Sequence, residues 1–168
     1  MNRWLRLLKH RWWDETDARR VLNGDGLDRI QRAIVASESR HRGEIRVVVE
    51  AGLPLSYLLR QSTPRDRAVS LFGKLRVWDT DDNNGVLIYV LLAEHAIEVV
   101  ADRGLAQKVT AETWASMVGT LRDAFRAGRA DEGLLGAIET VDTLLTRHYP
   151  RSPGTADTNE LPDRPLVL

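Results

Sequence analysis

The sequence predicts an α/β protein, a three-layer α/β/α sandwich on a small mixed β-sheet. Three observations carry this. Short runs at 45–49, 86–92 and 97–101, β-branched or wholly apolar, alternate with longer stretches whose apolar residues recur every three or four positions. The middle run, Val86-Leu87-Ile88-Tyr89-Val90-Leu91-Leu92, is apolar at every position, as a central strand covered on both faces must be. The chain has 168 residues, 43% of them hydrophobic, which suffices for one buried core without disulfide or metal staples.

The elements follow in order. Residues 1–13 hold Arg3, Arg6, Lys9, His10 and Arg11, no acid, and Trp4, Trp12 and Trp13, three of the five tryptophans. On a helix, Trp4, Leu5, Leu8 and Trp12 share one side, with Arg3, Arg6 and Lys9 mostly on the other. Whether residues 19–23 form a short helix or an edge strand stays open. Leu27, Ile30, Ile34 and His41 mark a helix over 26–41, with Gly43 as its C-cap. A strand at 45–49 precedes the Gly52-Leu53-Pro54 turn and a short helix at 55–61. Thr63 is an N-cap with Pro64 at the first helical position, and Ala68, Leu71, Phe72 and Leu75 face inward from that helix. Glu94-His95 is a tight turn joining 86–92 and 97–101 into an antiparallel hairpin, and Asp102-Arg103-Gly104 ends it. Thr110 caps a helix burying Trp114, Met117, Val118, Leu121 and Phe125. Gly128 breaks it, and Asp131 opens a last helix burying Leu134, Leu135, Ile138, Val141, Leu144 and Leu145. Residues 150–168 contain four of the six prolines and read as a flexible tail whose Leu166-Val167-Leu168 end is frayed. The organisation is therefore a basic Trp-rich helical segment (1–24), an α/β/α domain (25–149) and a Pro-rich tail (150–168).

Composition removes several function classes. No cysteine means no disulfide framework, thiolate zinc site, iron–sulfur cluster or cysteine nucleophile. Twenty-four basic residues balance 24 acidic ones, whereas a general nucleic-acid binder needs a basic excess. No apolar stretch approaches the roughly 18 residues of a membrane span, and Arg6 and Lys9 interrupt any signal-peptide core. The expectation is a cytoplasmic protein, peripheral at the inner membrane. His10, His41, His95 and His148 are scattered without zinc spacing, and Gly-x-Ser-x-Gly is absent. His41 and His148 are expected near helix C-termini, where an imidazolium suits the dipole.

The loop before the central strand is the chemical candidate. Asp79, Asp81 and Asp82 place three carboxylates within four positions, and Asn83 and Asn84 add amide oxygens. Calcium prefers such hard oxygen donors on a loop. Two of these charges about 5 Å apart repel by roughly 0.8 kcal/mol in water, which a bound Ca2+ would remove. This is no EF-hand: counted from Asp79, position six is Asn84 rather than glycine, and position twelve is Val90 inside a strand. Further ligands must converge from elsewhere, and Asp102 leaves the hairpin at the same end. Glu50 joins them only if its strand runs parallel to the one ending at Asp102. The competing account is turn chemistry alone, since Asp, Asn and Gly make turns without any ligand.

Gly43-Glu44-Ile45-Arg46-Val47, Phe72-Gly73-Lys74-Leu75-Arg76-Val77-Trp78-Asp79 and Asn84-Gly85-Val86-Leu87-Ile88 resemble the TPM domain family. Ile97-Glu98-Val99-Val100-Ala101-Asp102-Arg103-Gly104 and Ala124-Phe125-Arg126-Ala127-Gly128 fit the same family. The resemblance covers roughly residues 25–148. It implies the α/β/α fold, a phosphatase suggestion carried by the family's name, calcium binding in some members and frequent membrane attachment.

The leading expectation is a non-enzymatic binding domain that docks to a membrane surface or membrane-associated protein. Arg3, Trp4, Arg6, Leu8, Lys9, Trp12 and Trp13 form its docking surface, and the acidic loop holds calcium. Two further readings stand beside it. One is a metal-dependent acid phosphatase, with Asp79 or Asp82 on the metal and Arg103 or Arg76 countering phosphate charge. The other is a structural module that self-associates into a homo-oligomer through its first helix.

Overall fold

The computed structural model describes residues 3–152 and 159–168. Its helices are α1 (Arg3–Arg11), α2 (Glu15–Val21), α3 (Asn23–Glu38), α4 (Leu55–Leu59), α5 (Pro64–Lys74), α6 (Arg103–Ala106), α7 (Ala111–Arg126) and α8 (Ala130–His148). Its strands are β1 (Ile45–Glu50), β2 (Val86–Leu91), β3 (Ala96–Ala101) and β4 (Leu166–Val167), in spatial order β3-β2-β1-β4. β1 runs parallel to β2 and to β4, and β2 runs antiparallel to β3.

Every residue of β1 and β2 is buried, because helices cover both faces of the sheet. Alternation then sorts the side chains into two cores. Val47, Val49, Val86, Ile88 and Val90 meet Ile30 and Ile34 of α3, Leu121 of α7 and Leu134, Ile138 and Leu145 of α8. Val48, Leu87, Tyr89 and Leu91 meet Leu58 of α4 and Ala68 and Leu71 of α5 on the other side. The three-layer α/β/α sandwich is present. Local signals fix the helix starts: Thr63 accepts from the Asp66 amide at 3.1 Å while Asp66 accepts from the Thr63 amide at 2.8 Å, with Pro64 at N1. Asp14 and Asp17 make the same reciprocal box at α2.

Several expectations change. Residues 19–23 form no edge strand: α2 ends at Val21, Leu22 is the cap between the two helices, and α3 opens at Asn23. α3 stops at Glu38 with Ser39 as its C-cap, so Gly43 is not the cap. Its glycine answers to packing instead: a Cβ there would lie 2.5 Å from Leu145 Cδ2. His41 is fully buried and bridges to Pro150, and burial pushes its imidazole down to about 4, so it is neutral rather than a dipole-stabilised cation. Its Nε2 lies 2.8 Å from Ser37 Oγ, and the Gly43 amide donates to Nδ1.

The end of the chain is not frayed. Leu166 and Val167 pair with Val48 and Val49, and the Leu168 amide donates to the Val49 carbonyl at 3.0 Å. Two buried side chains grip the approach to this strand. Glu44 accepts from the Glu160 and Leu161 amides, both at 3.2 Å, and the Arg46 guanidinium donates to the carbonyls of Pro162 and Arg164. Burial pushes the neighbouring Glu38 carboxyl up to about 9 and that of Glu44 up to about 7.

Candidate functional site

Two surfaces stand at opposite ends of β2. The first lies past its C-terminal end and is built by α1. α1 is attached through its polar side. Arg6 Nε donates to Glu94 Oε1 at 2.6 Å, and Arg6 Nη2 donates to the Ser62 carbonyl at 2.7 Å. His10 is buried; its Nδ1 accepts from the Leu53 amide at 2.9 Å, so Nε2 carries the proton and donates to Glu94 Oε1 at 2.8 Å. Burial raises the Glu94 carboxyl, but the Arg6 and His10 hydrogen bonds outweigh it and hold the group below the usual carboxylate range. Leu7 packs on the α4–α5 core beneath.

With the polar side turned in, the apolar stripe is turned out. Trp12 is 84% exposed and Trp4 72%, with Leu5 and Leu8 at 60% and 58%. Leu55 and Leu59 of α4 extend the patch, at 62% and 50%. A groove of about 510 Å³ runs between α1 and α4. Residues 1–13 and 51–65 contain no acid at all. Lys9, Arg11 and Arg60 border the patch and make no ion pair among the described residues, whereas Arg6 is committed to Glu94 and Arg65 to Glu98. Trp13 is half-buried: it borders this groove and packs against the α3–α7–α8 core, with its ring edge-on to His95 at 6.4 Å. The side chain of Arg3 lies outside the described residues.

The second surface is the acidic loop at the N-terminal end of β2. Asp79 pairs with Arg76, and Asp82 with Arg42 Nη1 at 2.8 Å. Asp81 is exposed, and its amide faces Glu160 Oε2 at 3.3 Å. Burial and then the nearby Asp81 push Glu160 up. Asn83 sits in the left-handed region at φ 52°, its carbonyl accepting from the Gly104 amide at 2.9 Å. Asn84 is fully buried; its Nδ2 donates to the Arg42 carbonyl at 3.0 Å, while its Oδ1 has no hydrogen-bond partner among the described residues. Asp102 is 7% exposed and caps α6: Oδ1 accepts from the Arg103 amide at 2.6 Å, and Oδ2 is buried without a partner among the described residues. The loop and the end of β3 adjoin, because the Asp102 amide donates to the Gly85 carbonyl at 2.8 Å. That approach needs glycine: a Cβ on Gly85 would lie 2.0 Å from the Val77 carbonyl oxygen.

The structure therefore brings Asp102 beside Asn83 and Asn84. Asp79 and Asp82 are each held by an arginine. Among the described residues, no three of His, Asp and Glu converge to hold a metal ion. Glu50 lies at the other end of the sheet, opposite Leu91, because β1 is antiparallel to β3; Arg67 and the Tyr89 hydroxyl occupy its carboxylate. Sequence reasoning missed Glu94 and His10 as the anchors of α1, and Leu55 and Leu59 as part of its patch. The four-residue spacing of Leu55 and Leu59, within an acid-free stretch, was the available signal.

The fold has counterparts among known proteins. The TPM domain matches residues 16–144. The chain belongs to the TPM domain family. Among solved structures, this TPM domain is similar to the NMR structure of the BA42 protein from the psychrophilic bacterium Bizionia argentinensis. The TM-score is 0.73 at 27% identity, covering 84% of this chain and 92% of that one. It also shares its fold with the N-terminal domain of a P. gingivalis protein, at TM-score 0.61 and 19% identity over 81% and 90% of the two chains. No curated protein sequence matches the chain significantly. Among the described residues, no helix is long and apolar enough to cross a membrane.

Proposed function

We propose that this TPM domain is a non-enzymatic binding module that docks on an anionic membrane surface through α1 and α4. One observation carries the reading: the Arg6–His10–Glu94 anchor spends the polar side of α1 on the fold and leaves its tryptophan–leucine stripe outside. Tryptophan suits a boundary that is dry on one side and wet on the other, and a basic rim suits anionic headgroups. Vesicles of phosphatidylglycerol should sediment the protein, while phosphatidylcholine vesicles leave it in solution. The Leu8→Gln/Trp12→Gln variant should stay in solution with both. Equal sedimentation of variant and wild type refutes the reading. A dimer in light scattering that the same variant converts to monomer would put self-association in its place.

A second reading rests on a separate observation. Asn84 Oδ1 and Asp102 Oδ2 are buried oxygens lacking donors, a costly condition in a folded protein. Both are hard donors of the type calcium selects. On this reading the same loop is a weak divalent-cation site, and the cation orders the start of β2.

A further inference from the structure

We infer that the cavity at the C-terminal end of β2 is a binding site for a single-chain anionic amphiphile, an alkyl chain bearing a carboxylate or phosphate monoester. The cavity holds about 490 Å³, within the ordinary range of small-ligand sites. It opens beyond Val90, Leu91 and Leu92, where ligands of α/β sheets commonly settle. Its wall is apolar, from Trp13, Val21, Ile97 and Phe125. Its polar groups are Arg122, Arg126 and His95, and no carboxylate lines it. An apolar wall with a cationic mouth complements a chain with an anionic head.

The two arginines lack adequate partners inside the protein. Arg122 has no ion pair among the described residues, and Arg126 reaches Asp123 at 3.4 Å, with both side chains more than 70% exposed. An exposed pair of that kind contributes little. Arg122 and Arg126 stand four residues apart on α7, where like charges repel across one turn. A carboxylate or phosphate between them would relieve this, and the planar guanidinium fork matches such groups in two-point contacts. His95 occupies the left-handed region at φ 50°, a conformation unusual outside glycine, and adds a third nitrogen-bearing side chain beside the two arginines.

The inference does not require membrane docking: the cavity shares only Trp13 with the α1–α4 groove, and Arg122, Arg126 and His95 line the cavity alone. Calorimetric titration of the full chain with decanoate, decyl phosphate, decanol and decyltrimethylammonium, each below its micellar concentration, tests it. The two anions should bind one to one, and the alcohol and the cation should not. Arg122→Glu, on an exposed position, should weaken the anions by roughly tenfold or more. Val21→Trp should fill the cavity and abolish binding, whereas Trp12→Gln should leave decyl phosphate affinity unchanged. Vesicles with phosphatidic acid distinguish the source. If Arg122→Glu lowers their recovery, the headgroup of a bilayer lipid is bound; if it lowers only decyl phosphate affinity, a free amphiphile is. Decanol binding as tightly as decanoate, no binding of either anion, or an Arg122→Glu affinity equal to wild type overturns the proposal.

Discussion

Trp12 offers the sharpest test of the docking face. The residue is 84% exposed at the end of α1, so its replacement removes little from the fold. A tryptophan side chain presents up to about 250 Å², which leaves roughly 200 Å² of Trp12 in water. At about 25 cal/mol per Å², complete transfer out of water would contribute about 5 kcal/mol. An interfacial helix immerses its apolar face only to the headgroup–acyl boundary, so about half of that, roughly 2–3 kcal/mol, is realised. Each 1.4 kcal/mol is tenfold in an equilibrium constant. Trp12→Gln should therefore weaken partitioning onto phosphatidylglycerol vesicles by roughly 50-fold, measured by sedimentation across a lipid titration. The melting temperature should hardly move. Trp13→Gln is the contrasting control: it removes a side chain packed on the core and should lower the melting temperature instead. Lys9, Arg11 and Arg60 contribute about 1 kcal/mol each near an anionic surface, and about 0.5 M salt should remove most of it. A change of less than about twofold for Trp12→Gln, with binding intact, would show that the stripe does not meet the lipid.

Other consequences are open to measurement. Glu94→Ala takes the shared acceptor from Arg6 and His10, so amide exchange in residues 3–11 should accelerate while β2 stays protected; unchanged protection of α1 would mean that Leu7 packing suffices to hold it. Glu38 holds its proton in the folded protein to about pH 9 but loses it near 4.5 when unfolded, so the folded state binds more protons between those limits and stability falls as pH rises through them. Glu38→Gln keeps an acceptor for the Ile45 amide and should flatten that fall, stabilising the protein at pH 8 by an amount on the order of a few kcal/mol; parallel denaturation profiles of the two proteins would refute this. Calcium titration should give heat with wild type and none with Asp102→Asn, and silence in both ends the cation reading. If an aryl phosphate is turned over by wild type but not by that variant, the phosphatase reading gains the loop.

The layered fold was legible because its signals are local. Val86 to Leu92 is apolar on both faces whatever surrounds it, and Thr63-Pro64 with Asp66 declares a helix start within four residues. β4 was not legible. Two residues in a Pro-rich stretch carry no strand periodicity, and their seat depends on Glu44 and Arg46, more than 110 positions earlier. The apolar stripe of α1 was legible, but periodicity states which face is apolar and not which is buried. That choice belongs to Glu94, 88 residues from Arg6. The acidic loop was found as a composition, yet its chemistry turns on which oxygens lack donors, and the Arg76 and Arg42 partners of Asp79 and Asp82 follow from the fold alone.

The placement of the two surfaces at opposite ends of β2 has a consequence for how the protein would approach a charged boundary. Six strand residues separate them, about 20 Å at roughly 3.3 Å per residue. With Asp79 and Asp82 paired to arginines, Asp81 and Glu160 are the acidic side chains left at one end, and Lys9, Arg11 and Arg60 stand at the other. A separation of that kind adds no net attraction to an anionic lipid sheet but favours one orientation over its reverse. On the docking reading proposed above, such an orientation within a Debye length of about 8 Å at physiological salt would turn the tryptophans toward the bilayer and the acidic loop toward the aqueous side.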